Sequence, residues 1–228
     1  MVELTTQLSF SFQRILKQRV SCLFILFITT ILPLFLVLAN RIDNFEDNWL
    51  ALLHVQMILH TLLTPVLLNT IWSGRLHNFE KKTILYYLRQ PFVYFLSQIL
   101  VVWLISAGSL IIVDSAYWVV SAQGASGAMW AGTVLQMILT TGLLVTLTGL
   151  LSLLLQRTFY SILLLLIYLL ISLSFIDRPM FALWFSPNVT EQMVMQTDLV
   201  IERGWLLIWM IVLLVIGRLL FLKKAERR

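Results

Sequence analysis

Charge is what this sequence has least of. Only 12% of its 228 residues are Asp, Glu, Lys or Arg, about half the share of a soluble domain. So little charge cannot cover a water-facing surface, whereas 60% hydrophobic residues and a mean hydropathy of +0.91 describe an integral membrane protein. Cysteine is nearly absent: Cys22 stands alone inside an apolar run, which excludes an intramolecular disulfide and a thiolate zinc cluster. Of the three histidines, His54 and His60 share a run but lie about 240° apart around a helix, so they cannot hold one metal from one face. None of the nine glycines falls in a GxxxxGK[ST] motif, which excludes ATP binding by a P-loop in this chain. The apolar runs also lack paired carboxylates and a nucleophile beside a base, so nothing reads as an enzyme.

What the sequence has in quantity is apolar length. A helix needs about 20 apolar residues to cross the hydrocarbon core, and six runs answer to this: 20–39, 49–73, 92–113, 129–155, 159–176 and 205–222. The expected fold is all-α, a polytopic membrane protein forming a single transmembrane domain over 1–228, with no linker and no internal repeat. The first run begins near Val20 and is too long for the apolar core of a cleavable signal, so it reads as a retained span. Runs two and four exceed the minimum and must tilt, kink or protrude, with Pro65 the natural kink site. No charge lies deep in a run; Asp114 and Arg218 stand near run ends. Trp49, Trp72, Trp130 and Trp205, also near run ends, fit the aromatic belt of a bilayer interface. Gly142, Thr146 and Gly149 form a small-residue stripe where another helix can approach closely.

Orientation follows from lysine and arginine, which accumulate in cytoplasmic loops. With six spans and both termini cytoplasmic, only Arg41, Arg178 and Arg203 of the sixteen basic residues fall outside, beside eight of the eleven acidic ones. The net charge of +5 is therefore a topology signal and a contact for anionic lipid headgroups rather than a nucleic-acid surface. A multi-pass protein of a bacterial plasma membrane is expected.

Three segments outside the runs have their own organisation. Over 1–19, Leu4, Leu8, Phe12, Ile15 and Leu16 recur at helical spacing, predicting an interfacial helix. The loop 177–204 is rich in apolar residues in its first half, including Met180, Phe181 and Trp184, and is expected to lie in the outer interface or dip back into protein. The third segment, GRLHNFEKKTILYYLRQP from Gly74 to Pro91, carries five charges yet keeps a helical pattern. A plain topology anchor would be shorter and would have no use for Glu80 among its bases. A helix over 75–90 on the cytoplasmic surface suits a docking site for a cytoplasmic partner.

With these features the chain resembles the six-span membrane subunits of ABC transporters of the ABC-2 type, over essentially its whole length. In that family the cytoplasmic segment commonly reads glutamate, threonine, paired aliphatics and a proline before span three; Glu80, Thr83, Ile84, Leu85 and Pro91 match. Ser186-Pro187 is similar to a serine-proline of the last outer loop. Lys82 replaces the glycine usual before the threonine, and Gln98 lies near where a lysine often opens span three.

The resemblance implies a permease subunit of an ATP-driven exporter, with 75–90 as its coupling helix. A cytoplasmic P-loop ATPase subunit and a second permease chain, identical or not, are the implied partners beside the lipid bilayer. ATP and Mg belong to the ATPase, and this chain binds no cofactor. Phe79, Glu80, Lys81, Lys82, Thr83 and Leu85 are the implied ATPase-docking residues, with Arg89 helping to set orientation. Relatives mostly move amphipathic or hydrophobic cargo outward, and spans with almost no ionisable residue offer a charged cargo little compensation. A hydrophobic peptide, antimicrobial peptides included, is the expected substrate. Polar residues inside spans are functional candidates by default, which nominates His60, Thr64, Asn69, Gln98, Gln136 and Thr140 for a substrate path. For His54 and His60 the first expectation is hydrogen bonding inside the bundle, with a place on a substrate path the alternative. The alternative function is a non-transporting scaffold or regulatory subunit that recruits a cytoplasmic partner.

Overall fold

A computed structural model describes residues 2–17, 27–39, 45–72, 91–121, 127–155, 158–173 and 197–226. All described residues are helical: α1 (Val2–Lys17), a π-helical turn (Phe27–Ile31) running into α2 (Leu32–Ala39), α3 (Phe45–Trp72), α4 (Pro91–Ser121), α5 (Gly127–Leu155), α6 (Thr158–Leu173) and α7 (Thr197–Glu226). Four stretches are long and apolar enough to cross a membrane: Asn48–Leu68, Phe92–Val120, Trp130–Leu155 and Gly204–Phe221. Phe159–Ser172 is apolar but shorter. The coupling helix 75–90, Ser186-Pro187, the segment 177–196 and the start of the first run lie outside the described residues.

Element bounds differ from the expected spans in two informative places. Helix α4 continues to Ser121, eight residues beyond the expected end of its span at 113. The apolar residues Ala116, Tyr117, Trp118, Val119 and Val120 carry the helix past Asp114, so the acid does not end it. Helix α7 begins at Thr197 and takes in the second part of the expected outer loop. Pro91 opens α4, a position where its missing N–H costs nothing. Pro65 lies inside α3, which is continuous through it.

Helices α3, α4 and α5 pack mutually. Helix α7 lies mainly along α5, α6 against α3 and α5, and α1 against α4 and α3. Each outer helix buries a narrow stripe at helical spacing: Ser161, Leu165, Leu169 and Ser172 on α6; Leu206, Met210, Gly217 and Phe221 on α7. The rest of α7 is open, with only 22% of its apolar window buried against 50–61% in α3, α4 and α5. Its uncovered Leu207, Ile208, Ile211 and Val215 suit lipid tails, which are as apolar as they are. On α1, Ser11 is buried and Leu8 packs on the core, while Phe10 and Phe12 are exposed. The expected apolar face of α1 is thus divided between bundle and surroundings.

Without a hydrophobic drive between helices in lipid, close packing has to hold the bundle, and glycine provides it at two points. Phe95 of α4 stacks on Phe221 of α7 with centroids 5.6 Å apart and lies 5.9 Å from Phe92. Its ring edge approaches Gly149 of α5 and Gly217 of α7, where a Cβ would sit 3.6 and 3.2 Å away. Gly142 of α5 admits Met210 of α7 and Trp103 of α4. The small-residue stripe therefore seats two different helices, as the packing reading expects. Trp103 Nε1 adds a 3.1 Å hydrogen bond to the Ile138 carbonyl, tying α4 to α5.

Candidate functional site

The chemistry of this bundle lies in a polar seam where α3, α4 and α5 meet. Both α3 and α4 place polar residues at multiples of four, Gln56, His60 and Thr64 on one, Gln98, Ser106 and Asp114 on the other. On α3 that spacing holds the set within about 80° of one face, whereas on α4 the steps of eight turn about 160° from Gln98 to Asp114. All six are buried, as are Thr133, Gln136 and Thr140 of α5. The contacts run antiparallel, Gln56 meeting Asp114 and His60 meeting Ser106 and Ser109.

Hydrogen bonding fixes which nitrogen of His60 donates. The Ser109 hydroxyl donates to the Ser106 carbonyl at 2.9 Å, so its oxygen is left to accept. A carbonyl can only accept. Nε2 of His60 therefore carries the proton and donates to Ser109 Oγ at 3.2 Å and to the Ser106 carbonyl at 3.3 Å. Nδ1 has no hydrogen-bond partner among the described residues. One turn away, the Gln56 side-chain amide lies 3.1 and 3.2 Å from Asp114 Oδ1 and Oδ2, and with its nitrogen toward an ionised carboxylate it donates to both.

Several buried threonines are spent on their own helices. Thr64 Oγ1 donates to the His60 carbonyl at 2.6 Å and Thr140 Oγ1 to the Gln136 carbonyl at 2.7 Å. Thr61 and Thr148 make the same backward bond. A hydroxyl satisfied this way is compatible with a buried helix interior and does not present its proton to a passing molecule.

Of the residues nominated for a substrate path, the structure brings His60, Thr64, Gln98, Gln136 and Thr140 into the buried interior. They line no open passage among the described residues. Asn69 lies on α3 with its side chain outside the described set. Phe79, Glu80, Lys81, Lys82, Thr83 and Leu85, expected to dock an ATPase, lie outside the described residues. Sequence reasoning missed Asp114 and Gln56. Placing Asp114 at a run end discounted it, although the apolar residues after it and its spacing of eight from Ser106 were legible signals.

A cavity of about 340 Å³ lies elsewhere, between α5, α6 and α7, lined by Leu143, Leu147, Leu151, Leu164, Tyr168, Trp209 and Leu213. It is apolar and shares no lining residue with the seam. Among the described residues no group of three or more His, Cys, Asp or Glu could hold a metal.

No family model, curated protein or solved structure matches this chain. Fold and site define an all-helical bundle with several helices apolar enough to span a membrane, compatible with a membrane protein with a buried polar interior.

Proposed function

We propose that the chain is the membrane-spanning permease subunit of an ATP-driven exporter of the ABC-2 type. The observation that carries this reading is the stretch from Phe79 to Pro91. It places Glu80, Thr83, Ile84, Leu85 and Pro91 in the order of a coupling segment, between two long apolar runs, in a chain with no nucleotide motif. A chain of this kind moves cargo only if a separate P-loop ATPase, with its own ATP and Mg, supplies the work. Six spans with both termini in the cytoplasm of a bacterial cell complete the reading, two permease chains pairing around the path. The scarcity of charge in the long helices supports a hydrophobic or amphipathic cargo, a peptide fitting best.

The test is co-purification of the tagged chain from its native membrane in mild detergent, with mass spectrometry and ATP hydrolysis on the eluate. A P-loop ATPase in stoichiometric amount is the expected companion. Truncating a buried aromatic anchor costs about 2 kcal/mol or more of association, so Phe79→Ala should release the ATPase while the chain still inserts. Glu80→Ala should lower stimulated ATP hydrolysis. A pure complex without nucleotide turnover would sink the transporter reading. The closed seam favours the scaffold reading in that event, because nothing in it then has to open.

A further inference from the structure

Asp114 is the one carboxyl whose side chain falls within the described set, and the proposed transport makes no use of it. It is fully buried, its two oxygens facing a single Gln56 amide. An ionised carboxylate has about four lone-pair sites to satisfy, and one amide nitrogen is the side-chain donor it receives among the described residues.

No cation among the described residues stands by to replace water. From α3, the titratable side chains in the described set are His54 and His60. Helix α5, α2 and the π-helical turn carry no charged or titratable side chain. Arg218 of α7 lies over the Phe92 ring, 5.7 Å from its centroid, at the opposite end of α4. On α4 itself Tyr117 follows Asp114 by three residues. The charged residues of α1, of the start of α3 and of both ends of α7 have side chains outside the described set.

What Asp114 does have is a partner that serves two protonation states. With its nitrogen forward, the Gln56 amide donates to a carboxylate at 3.1 and 3.2 Å. Turned by half a turn, it puts Oε1 in the same place, where it accepts from a carboxylic acid. The turned amide gives a neutral acid its acceptor with the backbone unmoved, although its own nitrogen then faces donors, and Asp114 is fully buried in either state.

We propose that Asp114 and Gln56 form a proton-binding site. A proton from the aqueous phase adds to one carboxylate oxygen, giving the neutral acid, and the Gln56 amide turns from donor to acceptor. Release returns the proton to water and the amide to its donor orientation. The inference is independent of the ATPase, so the two readings fail separately.

The experiment is infrared difference spectroscopy of the full chain, alone in phosphatidylcholine nanodiscs, titrated in H₂O and D₂O. The expected result is a carboxylic-acid carbonyl band that changes amplitude with pH, shifts in D₂O and disappears in Asp114→Asn. Gln56→Leu, which removes the acceptor, should move that band to higher frequency. The proposal is overturned if the wild-type chain shows no such band at any pH, or if the band survives Asp114→Asn. Should the Asp114→Asn chain fail to insert, an unmoved band in Gln56→Leu overturns it equally.

Discussion

The buried histidine shows what a polar side chain does in this bundle. His60 gives one N–H to two oxygens on α4, so it joins α3 to α4. Interhelical hydrogen bonds in membranes are worth about 0.6 kcal/mol on average, because the separated helices find other partners. The ring's volume counts for more. Emptying a buried site of that size costs about 2–5 kcal/mol. His60→Leu, which fills the space, is therefore expected to lower stability by about 1 kcal/mol, and His60→Ala by at least twice that. Thermal unfolding in mild detergent, followed by size-exclusion chromatography, measures both; equal losses would mean that the hydrogen bond outweighs the packing. The histidine's burial was legible in the sequence, since a polar group in an apolar run has to hide. Its pairing with Ser106 and Ser109 was not, because helix rotation is not fixed by a single run.

At the scale of the helix, the glycines separate packing from propensity. A Cβ at Gly108 of α4 meets no heavy atom within 4 Å, so Gly108→Ala should stabilise the chain by up to about 1 kcal/mol through backbone entropy alone. A Cβ at Gly217 of α7 meets the Phe95 ring at 3.2 and 3.3 Å. That ring is stacked on Phe221 and backed by Phe92, so it has nowhere to swing. Gly217→Ala should therefore destabilise by about 1–3 kcal/mol, the usual cost of overpacking. Opposite signs in one thermal-shift experiment would establish the contact; a gain at both positions would remove it. The stripe of Gly142, Thr146 and Gly149 announced close approach on α5 from sequence, but not that Gly142 takes α7 and Trp103 while Gly149 takes α4. Spacing tells that a groove exists, whereas the occupant depends on how two other helices are turned. The extension of α4 past Asp114 escaped for a related reason. A single charge ended the expected span, although the amide that makes it tolerable sits on a different helix.

At the scale of the whole molecule, the six-span reading needs α6 to cross the bilayer. Helices α3, α4, α5 and α7 have 28, 31, 29 and 30 residues, each about 42 Å or more at 1.5 Å per residue. Helix α6 has 16, about 24 Å, against a hydrocarbon core of about 30 Å. A short helix still crosses if the bilayer thins around it, and α6 has reason to. Only Gln156 and Arg157 separate its first residue from the last of α5, and a connection that short makes the two antiparallel neighbours. Its exposed residues, among them Phe159, Leu163, Ile167, Leu170 and Ile171, are apolar along its whole length. A crossing α6 puts the segment 177–196 on the same side as the 122–126 connection. A helix that dips in and returns puts it with Gln156 and Arg157. Because Cys22 is the only cysteine, Cys22→Ser gives a clean background for single substitutions Ser126→Cys, Gln156→Cys and Ser186→Cys. With a membrane-impermeant maleimide on intact cells, positions 126 and 186 should label together and 156 only after lysis. Labelling of 186 together with 156 would leave α6 short of a crossing and remove the six-span count on which the permease reading depends.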